Sequence, residues 1–213
     1  MVVKKRVTYA RPMPDGERKR SSYHHGALRE ELLEACVRLI ETEGIGAVSL
    51  RRVAREAGVS PGAPYHHFPD RAALLAAIAV RGFEQLAVDL AKARDTGPGF
   101  REVLLAMVVA YVGFARSHKA YFQLMFRPEL SQPEKHPDAR VAGDAAFAVL
   151  TDVVAGCGVS DPDGLAVSLW AFGHGLASLA IDGQLDHRGE LWCTSVDDLV
   201  ARAVRFIESV LPG

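Results

Sequence analysis

The sequence predicts an all-α protein, with an N-terminal three-helix head of helix-turn-helix layout and a larger C-terminal helical domain, about nine helices in all. Three observations carry this. No stretch alternates apolar and polar residues as a half-buried strand would. Apolar residues recur at three- and four-residue intervals from about residue 26 onward. Between residues 44 and 70, caps and glycines follow one another too closely for long helices.

The elements follow in order. Residues 1–22 hold Pro12, Pro14, Gly16 and seven Lys/Arg, and read as a disordered basic arm. Over 26–43, Leu28, Leu32, Ala35, Cys36, Leu39 and Ile40 share one helical face, and Gly44 stops the helix. Ser49 caps a short second helix that turns Leu50, Val53, Ala54 and Ala57 inward, and Gly58 ends it. Ser60 caps a third helix of about nine residues, or ~13 Å. Pro61 sits at its first position, where a missing N–H costs nothing. Asp70 caps a long fourth helix that reaches about Arg94.

The third helix is made of poor helix formers. Pro64 removes its first intrahelical bond, and Gly62 costs about 1 kcal/mol relative to alanine. Packing has to hold it, with Tyr65 and Phe68 as the expected anchors. Past Gly97-Pro98-Gly99, helices are expected near 100–117, 118–127, 138–156, 162–183 and 195–211. The Pro/Gly-rich segments 127–137, 156–164 and 184–189 read as connections. The domains are thus an arm at 1–22, a head at 23–75 and a second domain at 76–213.

Composition narrows the function. Hydrophobic residues are 49% and charged residues 24%, as in ordinary soluble domains. The longest apolar run, 103–115, is too short to cross a bilayer, so no membrane partner is expected. No apolar stretch follows the basic N-terminus, so no signal peptide is expected. Cys36, Cys157 and Cys193 are odd in number and widely spaced, which suits a reducing cytoplasm and neither a disulfide framework nor a zinc motif. The net charge of -1 hides an asymmetry: residues 1–75 carry 13 Lys/Arg against 9 Asp/Glu, and residues 76–213 carry 12 against 17. A polyanion partner at one end, or a solubilising tail, accounts for that pattern.

The odd third helix makes sense against a duplex. Gly62 and Ala63 lie on its first turn, where a recognition helix meets base edges, and their small size lets the backbone come close. Tyr65, His66 and His67 can donate to phosphate oxygens, with Arg51, Arg52 and Arg71 around them. Phe68 is expected to close the small core, and Tyr65 and His67 can do both. Adjacent His66 and His67 point about 100° apart and have no further ligand at metal spacing, so neither a metal nor a cofactor is expected.

The stretch "SLRRVAREAGVSPGAPYHHFPDRAALL", residues 49–75, resembles the DNA-binding domain of the tetracycline-repressor (TetR) family. The family pattern reads roughly Thr-x-Arg-x-Ile-Ala, then Gly-Val-Ser-x-Gly-Thr-Leu-Tyr-x-His-Phe, then Lys. Gly58, Val59, Ser60, Gly62, Tyr65, His67 and Phe68 match as they stand; Ser49 replaces the Thr, and Arg71 the Lys. Ala63 and Pro64 depart from Thr and Leu. The resemblance implies DNA contacts at Ser49, Arg51, Gly62, Ala63, Tyr65, His67 and Arg71, with Arg52, Ser60 and the variable His66 beside them. It also implies a ligand-binding, dimerising C-terminal domain. "LWAFGHGLASLAIDG", residues 169–183, is similar to a Trp-x-x-x-His-Gly element in one subset of these regulators.

In the second half, residues 165–181 carry two apolar stripes, one with Leu165, Leu169, Phe172, Leu176 and Leu179, the other with Ala166, Trp170, Ala177 and Ile181. A helix apolar nearly all round is buried on both sides, and Gly173 and Gly175 permit close approach. With the last helix it is expected to form a four-helix interface in a homodimer. Met107, Tyr111, Phe114, Phe122, Met125, Trp170 and His174 suit either a plain core or a pocket for an apolar or aromatic small-molecule effector.

The expected function is therefore a cytoplasmic dimeric repressor, released from double-stranded operator DNA by a small-molecule effector. A non-specific architectural DNA binder is the alternative. An enzyme with an incidental DNA-binding head is the weaker one, since no nucleophile elbow, phosphate loop or metal spacing occurs.

Overall fold

The computed structural model describes residues 15–97, 99–130 and 134–210, with side chains from Gly26 onward other than Glu208 and Val210. Among the described residues there are nine α-helices, two 3-10 turns and no strand. The head comprises α1 (Asp15–Glu43), a 3-10 turn (Ile45–Ala47), α2 (Leu50–Glu56), a second 3-10 turn (Ala63–His66) and the first half of α3 (Arg71–Arg94). The remainder is α4 (Phe100–Ser117), α5 (Lys119–Met125), α6 (Pro137–Ala155), α7 (Pro162–Ile181), α8 (Gln184–Trp192) and α9 (Val196–Val210).

Local chemistry sets the head's boundaries. Ser49 Oγ accepts from the Arg52 N–H at 3.2 Å, and an Asp70 carboxylate oxygen accepts from the Ala73 N–H at 2.8 Å. At the end of α2, Gly58 takes φ +69°, Gly58 N–H bonds Arg55 O at 3.1 Å, and Val59 N–H bonds Ala54 O at 2.9 Å. That pair of bonds is a Schellman cap, and its left-handed residue favours glycine.

Three expectations need correcting. The third helix is not a nine-residue α-helix: Ala63–His66 forms a 3-10 turn, with Tyr65 N–H bonding Gly62 O at 3.2 Å and His67 N–H bonding Pro64 O at 3.0 Å. Pro64 cannot donate the bond that would start an α-ladder, so the segment runs on tighter i→i−3 bonds. Its anchors also differ. Pro64 is fully buried beside Phe68, whereas Tyr65 is 52% exposed.

The expected arm at 1–22 lies partly outside the described residues, from 1 to 14. Residues 15–22 are helical and continuous with α1, since after Pro14 the Glu, Arg and Lys side chains there favour a helix. The segment 184–189, read as a connection, opens α8. Its burial is confined to Leu185 and Gly189, too little to write an apolar periodicity.

Two cores fill the molecule. One lies in the head, where Leu32, Leu33, Leu39, Val53, Phe68, Leu74, Leu75 and Ile78 pack together; Ala120, Leu124 and Leu130 complete it from beyond the head. The other joins the second half of α3 to α4–α9 through residues such as Leu86, Leu90, Leu104, Phe122 and Met125. Helix α5 belongs to both. Helix α7 is long and apolar enough, by length and composition, to cross a membrane; here it packs on α4 and α6, with only 28% of its most apolar window buried.

Leu124 is fully buried in the head core although it lies on α5. Leu124→Ala is therefore expected to lower unfolding free energy by about 2–5 kcal/mol, read by denaturant unfolding followed with circular dichroism.

Candidate functional site

The head presents one open surface. Ser60 and Gly62 are exposed, and nothing lies within 4 Å of where a Gly62 Cβ would sit. Tyr65 and His66 are exposed, Ala63 and His67 half-buried, and the His67 ring tilts against Phe68 at 6.4 Å between centroids. The small residues of this first turn thus leave backbone bare beside two ring side chains.

The cations around it are not equivalent. Arg71 Nε donates to Val48 O at 2.9 Å and its terminal nitrogen donates to Ile45 O at 2.7 Å, so this guanidinium ties the turn between α1 and α2 to α3. Arg52 pairs with Glu43 at 2.5 Å, and the Ser49 hydroxyl caps α2. Arg51 is exposed and pairs with none of the described residues. Arg55, which the sequence reading passed over, is exposed, similarly unpaired and one turn further along the same side of α2. Helical spacing from Arg51 was the signal for it.

The C-terminal half holds a partly open cavity of about 360 Å³. Helix α3 supplies Phe83, Leu86 and Leu90; α4 supplies Leu104, Met107, Val108 and Tyr111; and Met125 and Phe126 close the end of α5. Helix α6 contributes Gly143, Asp144, Phe147 and Leu150, and α7 contributes Leu169, Trp170 and Gly173. The Phe83 ring lies over Gly143 on α6, 3.4 Å from where a Cβ would be, and the Tyr111 ring meets Gly173 at 3.8 Å, both distances that a Cβ would also allow. The wall is nearly all apolar, as small-molecule sites are.

Of the seven residues expected at such a pocket, Met107, Tyr111, Met125 and Trp170 line it. Phe114, Phe122 and His174 do not. Phe114 is turned away and stacks on His118 at 5.0 Å. Phe122 and His174 stack on each other behind the wall, 5.2 Å between centroids. The walls from α3 and α6 were missed.

A small polar group sits at one side. The Tyr111 hydroxyl lies 3.0 Å from His174 Nδ1, and the Trp170 ring stands 6.2 Å from the imidazole. Burial raises the Tyr111 phenol above its ordinary range, so it stays protonated, and burial lowers the His174 imidazole. The buried Cys36 thiol is pushed up to about 12 by desolvation, which removes it as a nucleophile. Among the described residues no three His, Cys, Asp or Glu side chains group as metal ligands.

A helix-turn-helix head on a helical body with an apolar cavity is the build of a one-component regulator. Residues 32–78 match the family described as "Bacterial regulatory proteins, tetR family", and residues 104–207 match "Tetracyclin repressor-like, C-terminal domain". The chain belongs to the TetR family. A solved structure of a protein with unknown function from Rhodococcus sp. RHA1 is 33% identical, with a TM-score of 0.74 over 90% of this chain and 98% of that one. A tetR-family regulatory protein from Rhodococcus RHA1 shares the fold at 20% identity, with a TM-score of 0.63 over 83% of this chain and 95% of that one. The HTH-type transcriptional regulator YobS of Bacillus subtilis (strain 168) is 28% identical over 98 residues, 46% of this chain and 51% of that protein. This chain thus spans about half the length of such curated relatives where it matches them.

The lowered His174 has a pH consequence. The folded protein takes up this proton less readily than the unfolded chain, so the stability the site contributes is full above pH ~6.5 and falls as the pH drops below that value. In thermal melts between about pH 5 and 7.5, His174→Gln is expected to flatten the acid limb of the Tm profile relative to the parent.

Proposed function

We propose that this chain is a dimeric, ligand-responsive transcription regulator of the cytoplasm, which binds operator DNA through its head and is released when a small molecule enters the cavity. The observation that carries the reading is that α5 is buried in both cores, with Leu124 in the head and Met125 in the cavity wall. A ligand that displaces Met125 or Phe126 acts on the surface on which the head sits. It favours release only by binding the released arrangement more tightly than the DNA-bound one. Helix α3 supplies a second link, from Leu74 and Leu75 in the head to Leu86 and Leu90 at the cavity.

In this reading the first turn at Gly62–Ala63 enters the major groove, Tyr65, His66 and His67 meet phosphates or base edges, and Ser49, Ser60, Arg51 and Arg55 hold the register. Arg71 supports them by fixing the turn before α2. The dimer forms through α7 and α9, where Val167, Leu179 and Phe206 stand 52%, 46% and 68% exposed. Gly175 and Ala171 on the same side of α7 let a second helix come close, and the two heads would then reach successive major grooves about 34 Å apart.

Three expected outcomes test this. In fluorescence anisotropy, DNA from upstream of the protein's own gene binds more tightly than random DNA; equal affinity would favour an architectural binder instead. Arg51→Ala and Arg55→Ala each weaken binding, keep the circular dichroism spectrum, and make the slope of log K against log salt shallower by about 1. Leu179→Arg converts a dimer into a monomer in sedimentation velocity and lowers DNA affinity with it.

A further inference from the structure

We propose that the cavity selects a compact, uncharged, ring-bearing molecule with a hydroxyl, or another group that both donates and accepts a hydrogen bond, paired to the Tyr111 phenol. This rests on the reading of the cavity as the effector site and supplies the effector's chemistry.

Size sets the first bound. A cavity of about 360 Å³ lies near the small end of ligand pockets, which run from about 300 to 1,000 Å³, and suits one to three fused rings. Ring surfaces are already in place: Phe147 meets Trp170 at 5.7 Å and 62°, and Phe83 meets Phe126 at 5.6 Å and 83°. Such edges and faces favour a flat aromatic guest.

Charge sets the second. The wall carries two ionisable side chains, Tyr111 and Asp144. The phenol is neutral. Asp144 is exposed, and its carboxylate meets Arg140 Nε at 3.3 Å. A carboxylate or phosphate guest finds no cation on the wall, and an ammonium guest finds ring faces and a carboxylate that Arg140 already meets. Removing either charge from water costs more than those contacts return.

The hydrogen bond sets the third. A phenol has one donor and two lone pairs. When His174 Nδ1 is bare, the phenol donates to it across 3.0 Å and keeps its lone pairs. When Nδ1 carries the proton, it fills one lone pair, and the phenol keeps the other and its O–H. A guest hydroxyl can donate to the phenol in either tautomer and accept from it in the second; a ketone or ether can only accept, and only in the second.

Isothermal titration of the full-length protein with four probes of one shape tests this: 2-naphthol, naphthalene, 2-naphthoate and 2-naphthylmethylammonium. The expected result is 2-naphthol binding about tenfold or more tighter than either ion, and tighter than naphthalene. Tyr111→Phe is expected to weaken 2-naphthol by about three- to tenfold and to leave naphthalene within about twofold. Either ion binding as tightly as 2-naphthol overturns the proposal, as does binding of none of the four, or an equal loss for naphthalene in Tyr111→Phe. The DNA readout keeps the two claims apart. 2-Naphthol that binds without loosening DNA supports the ligand class and defeats the effector reading, whereas naphthoate that binds and releases DNA overturns the class and leaves that reading standing.

Discussion

Helix α5 has seven residues, too few to be stable alone, and two cores hold it at once. Ala120 and Leu124 point into the head; Phe122 and Met125 point into the body. Neither core is complete without it. Close approach at α3 reinforces the arrangement: a Cβ on Gly82 would stand 2.7 Å from Met125 Sδ and 3.1 Å from Tyr121 Cβ. The helix therefore cannot slide within one core without disturbing the other. Coupling between the two halves needs no long chain of contacts, since adjacent side chains on one short helix already touch both.

The head divides its arginines between structure and display. Arg71 is held by two carbonyls and Arg52 by Glu43, which fix how the turn after α1 meets α2 and α3. Arg51 and Arg55 are left standing in solvent, whereas Glu56 on α2 pairs with Arg38 on α1. Solvent-facing pairs contribute little to stability on their own. Their value here lies in geometry, because a bond from Arg71 to each of two carbonyls restricts the loop in more than one direction.

The head was legible because its signals are local. Ser49, Gly58 and Asp70 each dictate a cap through their own side chain or lack of one, and all three sit where the sequence places them. Pro64 was misjudged because its missing N–H was read as damage to a helix, when its ring is a core anchor and the turn needs no α-ladder. The cavity was only half legible. Met107, Tyr111, Met125 and Trp170 come from helices rich in rings and sulfur, a compositional clue. Phe83, Gly143 and Phe147 come from α3 and α6, and only their crossing, which no single-helix pattern encodes, makes them a wall. His174 drew attention as the polar member of an apolar helix. Its place one layer behind Tyr111 depends on stacking against Phe122 and an edge-on contact with Phe126.

The open side of α7 bears on how a newly made chain survives in the cell. An uncovered apolar helix is a feature that chaperones and proteases select. In the proposed dimer, a copy that pairs withdraws that helix, while a copy that finds no twin keeps it on offer to degradation. By mass action, the protected share then climbs with the amount synthesised. Weak expression would leave disproportionately little intact protein, and the stripe proposed to join two subunits would also set a floor on useful abundance.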